Sequence, residues 1–292
     1  MKFGVMFANT GPFATPEGAA AMAQAAEQAG FESIWTVEHV VVPVGYQSEY
    51  PYDKSGRMPG GEHTDIPDPL VWLAYVAAHT TTLKLGTGIV IANQRNPLVL
   101  AKEVATLDVL SGGRLLLGVG VGWLREEFDA LGVPFEGRGR RLDECIEAMR
   151  ALWSQEEASF EGEFTSFRRA VSRPKPVAGT VPVIVGGHSN AAARRAGRLG
   201  DGFFPGKGSN ERLRELFGIM RDAALEAGRD PEAIELTTGG AAAFAPDPVA
   251  ALRELEDDLG VHRVVIPPLA FDPEEIGPAL ARFGDDVIAK VA

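Results

Sequence analysis

The chain has 292 residues, with 28 basic and 40 acidic side chains and a formal net charge of −12. That length suits an α/β barrel built as one domain over residues 1–292, and the acidic balance excludes nucleic acid or an anionic membrane as a bulk partner. Cys145 is the one cysteine, which excludes an internal disulfide and a cysteine-based metal cluster. No run nears the roughly 18 apolar residues of a membrane span, and MKFGVMFANTG has no signal-peptide pattern, so a cytoplasmic protein is expected.

Apolar, β-rich runs alternate with helical patterns from end to end. Phe3–Phe7 reads as the first strand. A helix follows, with Thr15 as its cap, Pro16 in its first turn and Gly30 at its stop. Ser33–Val37 is the second strand, Asp68–Thr80 a helix and Leu83–Ile91 the third strand. Pro97–Leu110 is helical and stops at Gly112-Gly113. Leu115–Val121 reads as a fourth strand buried on both faces. Leu142, Cys145, Ile146, Met149, Leu152 and Trp153 recur at spacings of three and four, the signature of one helix face. Val181–Val185 is the fifth strand, Asn190–Leu199 a helix and Gly202–Pro205 the sixth strand. After the helix Glu211–Ala227, a seventh strand lies within Ala233–Ala243. Pro248–Leu259 is helical, Arg263–Pro267 is the eighth strand, and Pro273–Val291 holds the last helix.

Eight βα units favour a closed (β/α)8 TIM barrel over an open sheet. Two segments exceed ordinary connections: Val40–Pro67 after the second strand, and Ser154–Gly179 before the fifth, which reads as a hairpin (SFEGEFTSF) plus a Pro-rich linker. Insertions of this length often serve as lids.

In such barrels, chemistry sits at the C-terminal ends of the strands. The second strand ends in Glu38-His39. A histidine side chain can exchange a proton under physiological conditions, so His39 is the best acid–base candidate. Glu38 is the weaker one, because adjacent strand residues face opposite ways. The third strand ends around Thr87, Gly88 and Ile89. The fourth ends in Gly118-Val119-Gly120-Val121-Gly122-Trp123, whose alternating glycines bare one strand face for a flat ring or another backbone. At the end of the fifth, Gly186-Gly187-His188-Ser189 precedes a helix, so Ser189 can cap and the free N–H groups can hold a phosphate. An ordinary strand–helix turn would favour the same residues. Arg194, Arg195 and Arg198 follow on that helix, and a solvated face is their plainer reading.

Other chemistries lack their motifs. No complete G-x-G-x-x-G follows a strand, Gly202–Lys207 is too short for a P-loop, and G-x-S-x-G is missing. The five histidines are scattered, without H-E-x-x-H, so no metal is expected. Lys84 starts its strand and so lies at the wrong end of a barrel for a Schiff base. Lys207 alone stands near a strand's C-terminal end.

Three stretches together resemble the bacterial luciferase-like monooxygenase superfamily, in particular its F420-dependent oxidoreductases. They are AEQAGFESIWTVEHV, the run from LKLGTGIVIANQ to GVGWLREEFDALGVPFEGRGRRLDE, and PVIVGGHSNAAARRAGRLGDGFFP. The resemblance runs from Met1 to the last strand. It implies a barrel that binds a flavin or deazaflavin at its mouth. Thr87, Gly88, Ile89, Gly120 and Val121 would lie near the ring, and Gly186, Gly187, His188 and Ser189 near the phosphate. It implies a non-proline cis peptide at or beside Gly88-Ile89, a proton-transfer role for His39 with Glu38 beside it, and a homodimer formed through barrel helices. Glu38 stands where many deazaflavin enzymes carry Asp. Trp123 stands where the sugar-phosphate dehydrogenases carry Glu, which argues against that substrate.

The expected activity is hydride exchange between coenzyme F420 and a small organic substrate. Its rivals are an FMN-dependent two-component monooxygenase and a non-catalytic flavin-binding relative. A cofactor with a polyglutamate tail needs local positive charge. Arg168, Arg169, Arg173 and Lys175 are candidates in the second insertion, and Arg138, Arg140 and Arg141 before it. Tyr46, Tyr50, Tyr52 and Met58 of the first insertion either line a substrate pocket or pack the loop down.

Overall fold

A computed structural model describes residues 1–291. In chain order the elements are β1 (Lys2–Val5), α1 (Pro16–Gln28), β2 (Ser33–Thr36), α2 (Pro69–Ala77), β3 (Lys84–Thr87), α3 (Pro97–Leu110), β4 (Leu115–Val119), α4 (Arg125–Ala130) and α5 (Arg138–Ser154). There follow β5 (Ala158–Glu161), β6 (Ser166–Ala170), β7 (Val183–Gly186), α6 (Asn190–Leu199), β8 (Gly202–Phe204), α7 (Asn210–Glu226), β9 (Glu235–Gly239), α8 (Pro248–Leu259), β10 (Arg263–Ile266), α9 (Ile276–Phe283) and α10 (Ala289–Val291).

Eight parallel strands close a barrel in the order β1-β10-β9-β8-β7-β4-β3-β2. The (β/α)8 expectation therefore holds, with β7 as the fifth barrel strand. β5 and β6 form a separate antiparallel pair, the hairpin expected in the second insertion. The strands are shorter than their apolar runs. β3 stops at Thr87, the Gly88–Ile89 peptide that follows is cis, and the chain then enters a 3-10 turn at Ala92–Gln94.

Two cores result. The larger one lies between strands and helices. The smaller one, inside the barrel, gathers Trp35, Leu116, Ile184, Phe204 and Val265. Trp35 fits only because its neighbours are bare. A Cβ on Gly4 would meet its indole at 2.7 Å, and one on Gly86 at 2.5 Å. These two glycines thus serve the interior of the barrel.

Local capping fixes where the helices begin, and so where the mouth is. Thr15, Asp68, Asn96, Ser189, Ser209 and Asp247 each accept first-turn amides at the starts of α1, α2, α3, α6, α7 and α8. Among the described residues, no helix is long and apolar enough to cross a membrane.

Candidate active site

His39 and Glu38 diverge, as strand alternation requires. The Glu38 side chain is 1% exposed and paired with Arg95, whose Nε donates to Oε1 at 3.1 Å. The Ile91 amide donates to its other oxygen. Arg95 also reaches Asp68, the cap of α2, at 2.6 Å. Glu38 therefore ties β2 to the turn after β3 and to α2. Its oxygens are spent on these partners.

The His39 side chain is 7% exposed. Its Nδ1 lies 3.0 Å from Oε2 of Glu127, which is fully buried in α4. The edge of Trp123 packs on its ring at 5.6 Å. Trp123 is also packed by Tyr46 at 5.5 Å and Tyr50 at 5.2 Å. Tyr50 meets Tyr52 at 5.5 Å, and Tyr52 meets His188 at 5.1 Å. An arc of aromatic rings thus connects the end of β2 with the turn after β7. It joins His39 to the Gly186–Ser189 segment at one mouth.

The first insertion forms this arc because α4 pins it. Glu126 accepts from the Gln47 amide at 2.7 Å and the Ser48 hydroxyl at 2.7 Å. The Ser48 bond holds its carboxyl down at about 2 against desolvation, and the Gln47 and Ser48 amides add to this. The four insertion residues divide. Tyr46 and Met58 are buried, Tyr46 against Trp123 as well as within the loop, with the Met58 amide donating to the Tyr46 hydroxyl at 3.0 Å. Tyr50 and Tyr52 face the mouth as part of the arc. Burial pushes the Tyr50 phenol up to about 12.

The alternating glycines in β4 and just beyond its end have three separate reasons. A Cβ on Gly118 would lie 1.7 Å from the Thr87 carbonyl oxygen, so Gly118 lets β3 and β4 close. A Cβ on Gly120 would meet Ile89 at 2.7 Å, and one on Gly186 would meet the same side chain at 2.6 Å. Gly122 has φ +77° and also faces Phe128 and Ile91. The bare face expected at Gly120 is therefore filled by Ile89, a half-buried pedestal that also lies against Gly186, between the ends of β4 and β7. Thr87 is buried, with its hydroxyl donating to Gly118 at 2.7 Å. Val121 packs against the larger core, and its carbonyl accepts from Asn93.

After β7, Gly187 takes φ +122°, a region that favours glycine. The Ser189 hydroxyl accepts from the Ala192 amide at 3.2 Å, so the expected cap is in place. Helix geometry leaves the Asn190 and Ala191 amides facing outward. His188 Nδ1 is buried without a hydrogen-bond partner. Burial, Lys207 and Arg212 together lower the His188 pKa. Arg212 donates to the His188 carbonyl at 3.3 Å and to Asn190 at 2.7 Å. An orphaned ring nitrogen, a capped helix start and two nearby cations, Arg212 (also paired with Glu215 at 2.6 Å) and Lys207 (also donating to the Pro51 carbonyl), fit a phosphate-bearing group, and Ile89 fits the underside of a flat ring.

The cations named from sequence go elsewhere. Arg195 and Arg198 both hold Asp143, clamping α6 to α5. Lys175 donates to the Leu152 and Gln155 carbonyls at the C-terminal end of α5, opposite the mouth. Arg168, Arg169 and Arg173 pair with Glu161, Glu157 and Glu156. Arg140 pairs with Glu163, Arg141 donates to the Pro134 carbonyl, and Arg138 stacks on Phe135 at 3.8 Å. Among the described residues, no group of three or more His, Cys, Asp or Glu could hold a metal ion.

Sequence reasoning missed Glu127, Arg95 and Arg212. The first two are far from their partners in sequence, and Arg212 belongs to the helix after β8. A signal for Glu127 is nonetheless present: it lies four residues beyond Trp123, which stands where the resemblance implies an acid.

The luciferase-like monooxygenase family matches residues 1–274. An uncharacterized protein of Mycobacterium tuberculosis is 34% identical over 87% of this chain and 89% of its own length. The F420-dependent glucose-6-phosphate dehydrogenase of Kineococcus radiotolerans is 34% identical over 78% of this chain and 64% of its own. The crystal structure of monooxygenase RslO1 from Streptomyces bottropensis superposes over 100% of both chains, with a TM-score of 0.79 and 26% identity. The chain belongs to the luciferase-like monooxygenase family.

Proposed function

We propose that the protein is an F420-dependent oxidoreductase exchanging a hydride with a small organic substrate. The observation that carries this reading is the placement of His39 at one end of an aromatic arc whose other end is the phosphate-type turn. The relative named as an F420-dependent dehydrogenase supports the choice of cofactor. Trp123 speaks against carrying over its sugar-phosphate substrate.

When bound, the deazaflavin supplies or accepts a hydride at one ring carbon. Ile89 would support the ring, and Gly187, His188, Ser189, Lys207 and Arg212 would hold its phosphate. The arc of Trp123, Tyr50 and Tyr52 would exclude water and position the substrate carbon. His39 would give or take the accompanying proton.

Replacing His39 with Ala should lower turnover by roughly 10²–10⁴-fold and leave cofactor affinity within a few-fold. Unchanged turnover with a competent substrate would remove His39 from the mechanism. The full-length likeness to monooxygenase RslO1 favours a monooxygenase as the second reading, for which FMN is the expected cofactor. Titration of the pure protein with F420 and with FMN separates the two: tight FMN binding without F420 binding would favour the monooxygenase.

A further inference from the structure

We infer that Glu127 is a positioning residue that fixes the tautomer of His39, keeping the hydrogen on Nδ1 and leaving Nε2 as the proton-accepting atom. The use made of Nε2 rests on the function proposed above. The tautomer rests on hydrogen bonds alone.

Glu127 is fully buried and makes three contacts. Its Oε1 accepts from the Val40 amide at 2.6 Å and from the Val41 amide at 3.3 Å. Its Oε2 lies 3.0 Å from His39 Nδ1. Backbone N–H groups only donate, so Oε1 must be an acceptor. Taken as a carboxylate, Glu127 has no proton to give, so Oε2 accepts as well and Nδ1 carries the hydrogen. One side chain thereby sets both the course of the chain leaving β2 and the chemistry of the ring at its end. Trp123, packed edge-on at 5.6 Å, restrains the ring from another side. This follows the logic by which a carboxylate behind a catalytic histidine fixes orientation and tautomer.

Glu127→Gln should reverse the hydrogen bond to His39. The two main-chain amides require the glutamine carbonyl, which turns its NH2 toward Nδ1. That group donates, so the neutral ring must move its hydrogen to Nε2 and can no longer accept a proton there. The test is NMR of ring-labelled histidine in the whole protein, with the His39 signals assigned by their loss in His39→Ala. An Nδ1–H tautomer is expected in the wild type and Nε2–H in Glu127→Gln. Turnover should fall roughly 10²–10⁴-fold with cofactor affinity within about twofold.

A wild-type ring in the Nε2–H form would overturn the inference without any variant being needed. So would an unchanged tautomer in folded Glu127→Gln. A tautomer that switches as expected, while His39→Ala leaves turnover intact, would support the positioning role and defeat the proposed use of His39.

Discussion

Gly118 and Gly120 are two residues apart and look alike in the sequence, yet a side chain would cost differently at each. At Gly118 the added Cβ would meet the Thr87 backbone oxygen at 1.7 Å, and backbone cannot swing aside. At Gly120 the obstacle is Cδ1 of Ile89 at 2.7 Å, the tip of a flexible side chain. Gly118→Ala should therefore destabilise by about 3 kcal/mol or more, and Gly120→Ala by about 1 kcal/mol. Urea unfolding of both variants checks the order. Gly120→Ala should also weaken cofactor binding, because it tilts the pedestal, and adding Ile89→Ala should relieve the clash. Equal unfolding midpoints for the two single variants would contradict this reading of the glycines.

At the scale of elements, one buffered carboxylate joins α1 to the entry of β3. Glu27 accepts at one oxygen from the amides of Thr81 (2.9 Å), Thr82 (2.6 Å) and Leu83 (2.9 Å). Burial opposes its ionisation, but these amides and the Thr82 hydroxyl win and lower its pKa from 4.5 to about 2. A carboxyl depressed on folding adds stability that is complete above its unfolded pKa and is lost as pH falls through its folded one. Glu27→Gln should thus lower the melting temperature at pH 7, and the gap to wild type should close between pH 4.5 and about 2. A gap that stays constant over that range would rule out the linkage. Elements of this kind were legible in part. Caps such as Thr15 and Ser189 announce themselves, because their partners are three residues away. The joints between elements were not legible. Glu27 and Thr82 are 55 residues apart, His39 and Glu127 are 88 apart, and no periodicity connects them. The same distance hid why β3 is short, since its apolar run continues past Thr87 into a turn tied to Glu38. The barrel itself could be read because it follows from a count of alternating patterns. The chemistry of its mouth could not, because it depends on which loop residues meet once the barrel closes.

For the whole molecule, the charge of −12 sets a far field that repels any phosphate-bearing cofactor. Lys207 and Arg212, beside the Gly186–Ser189 turn, oppose it locally. Salt weakens both effects, since the screening length is about 10 Å at 0.1 M. In the wild type, local attraction and global repulsion fade together, so the association rate of an anionic cofactor should change little between low and moderate salt. In the double variant Lys207→Ala/Arg212→Ala only the repulsion remains. Its affinity should drop roughly tenfold at low salt, and its association rate should rise with ionic strength where that of the wild type stays flat. Stopped-flow fluorescence with the bound cofactor as reporter measures both slopes. Parallel slopes would mean that these two cations do not offset the acidic field, and that the phosphate is held by the α6 helix start and the glycine turn alone.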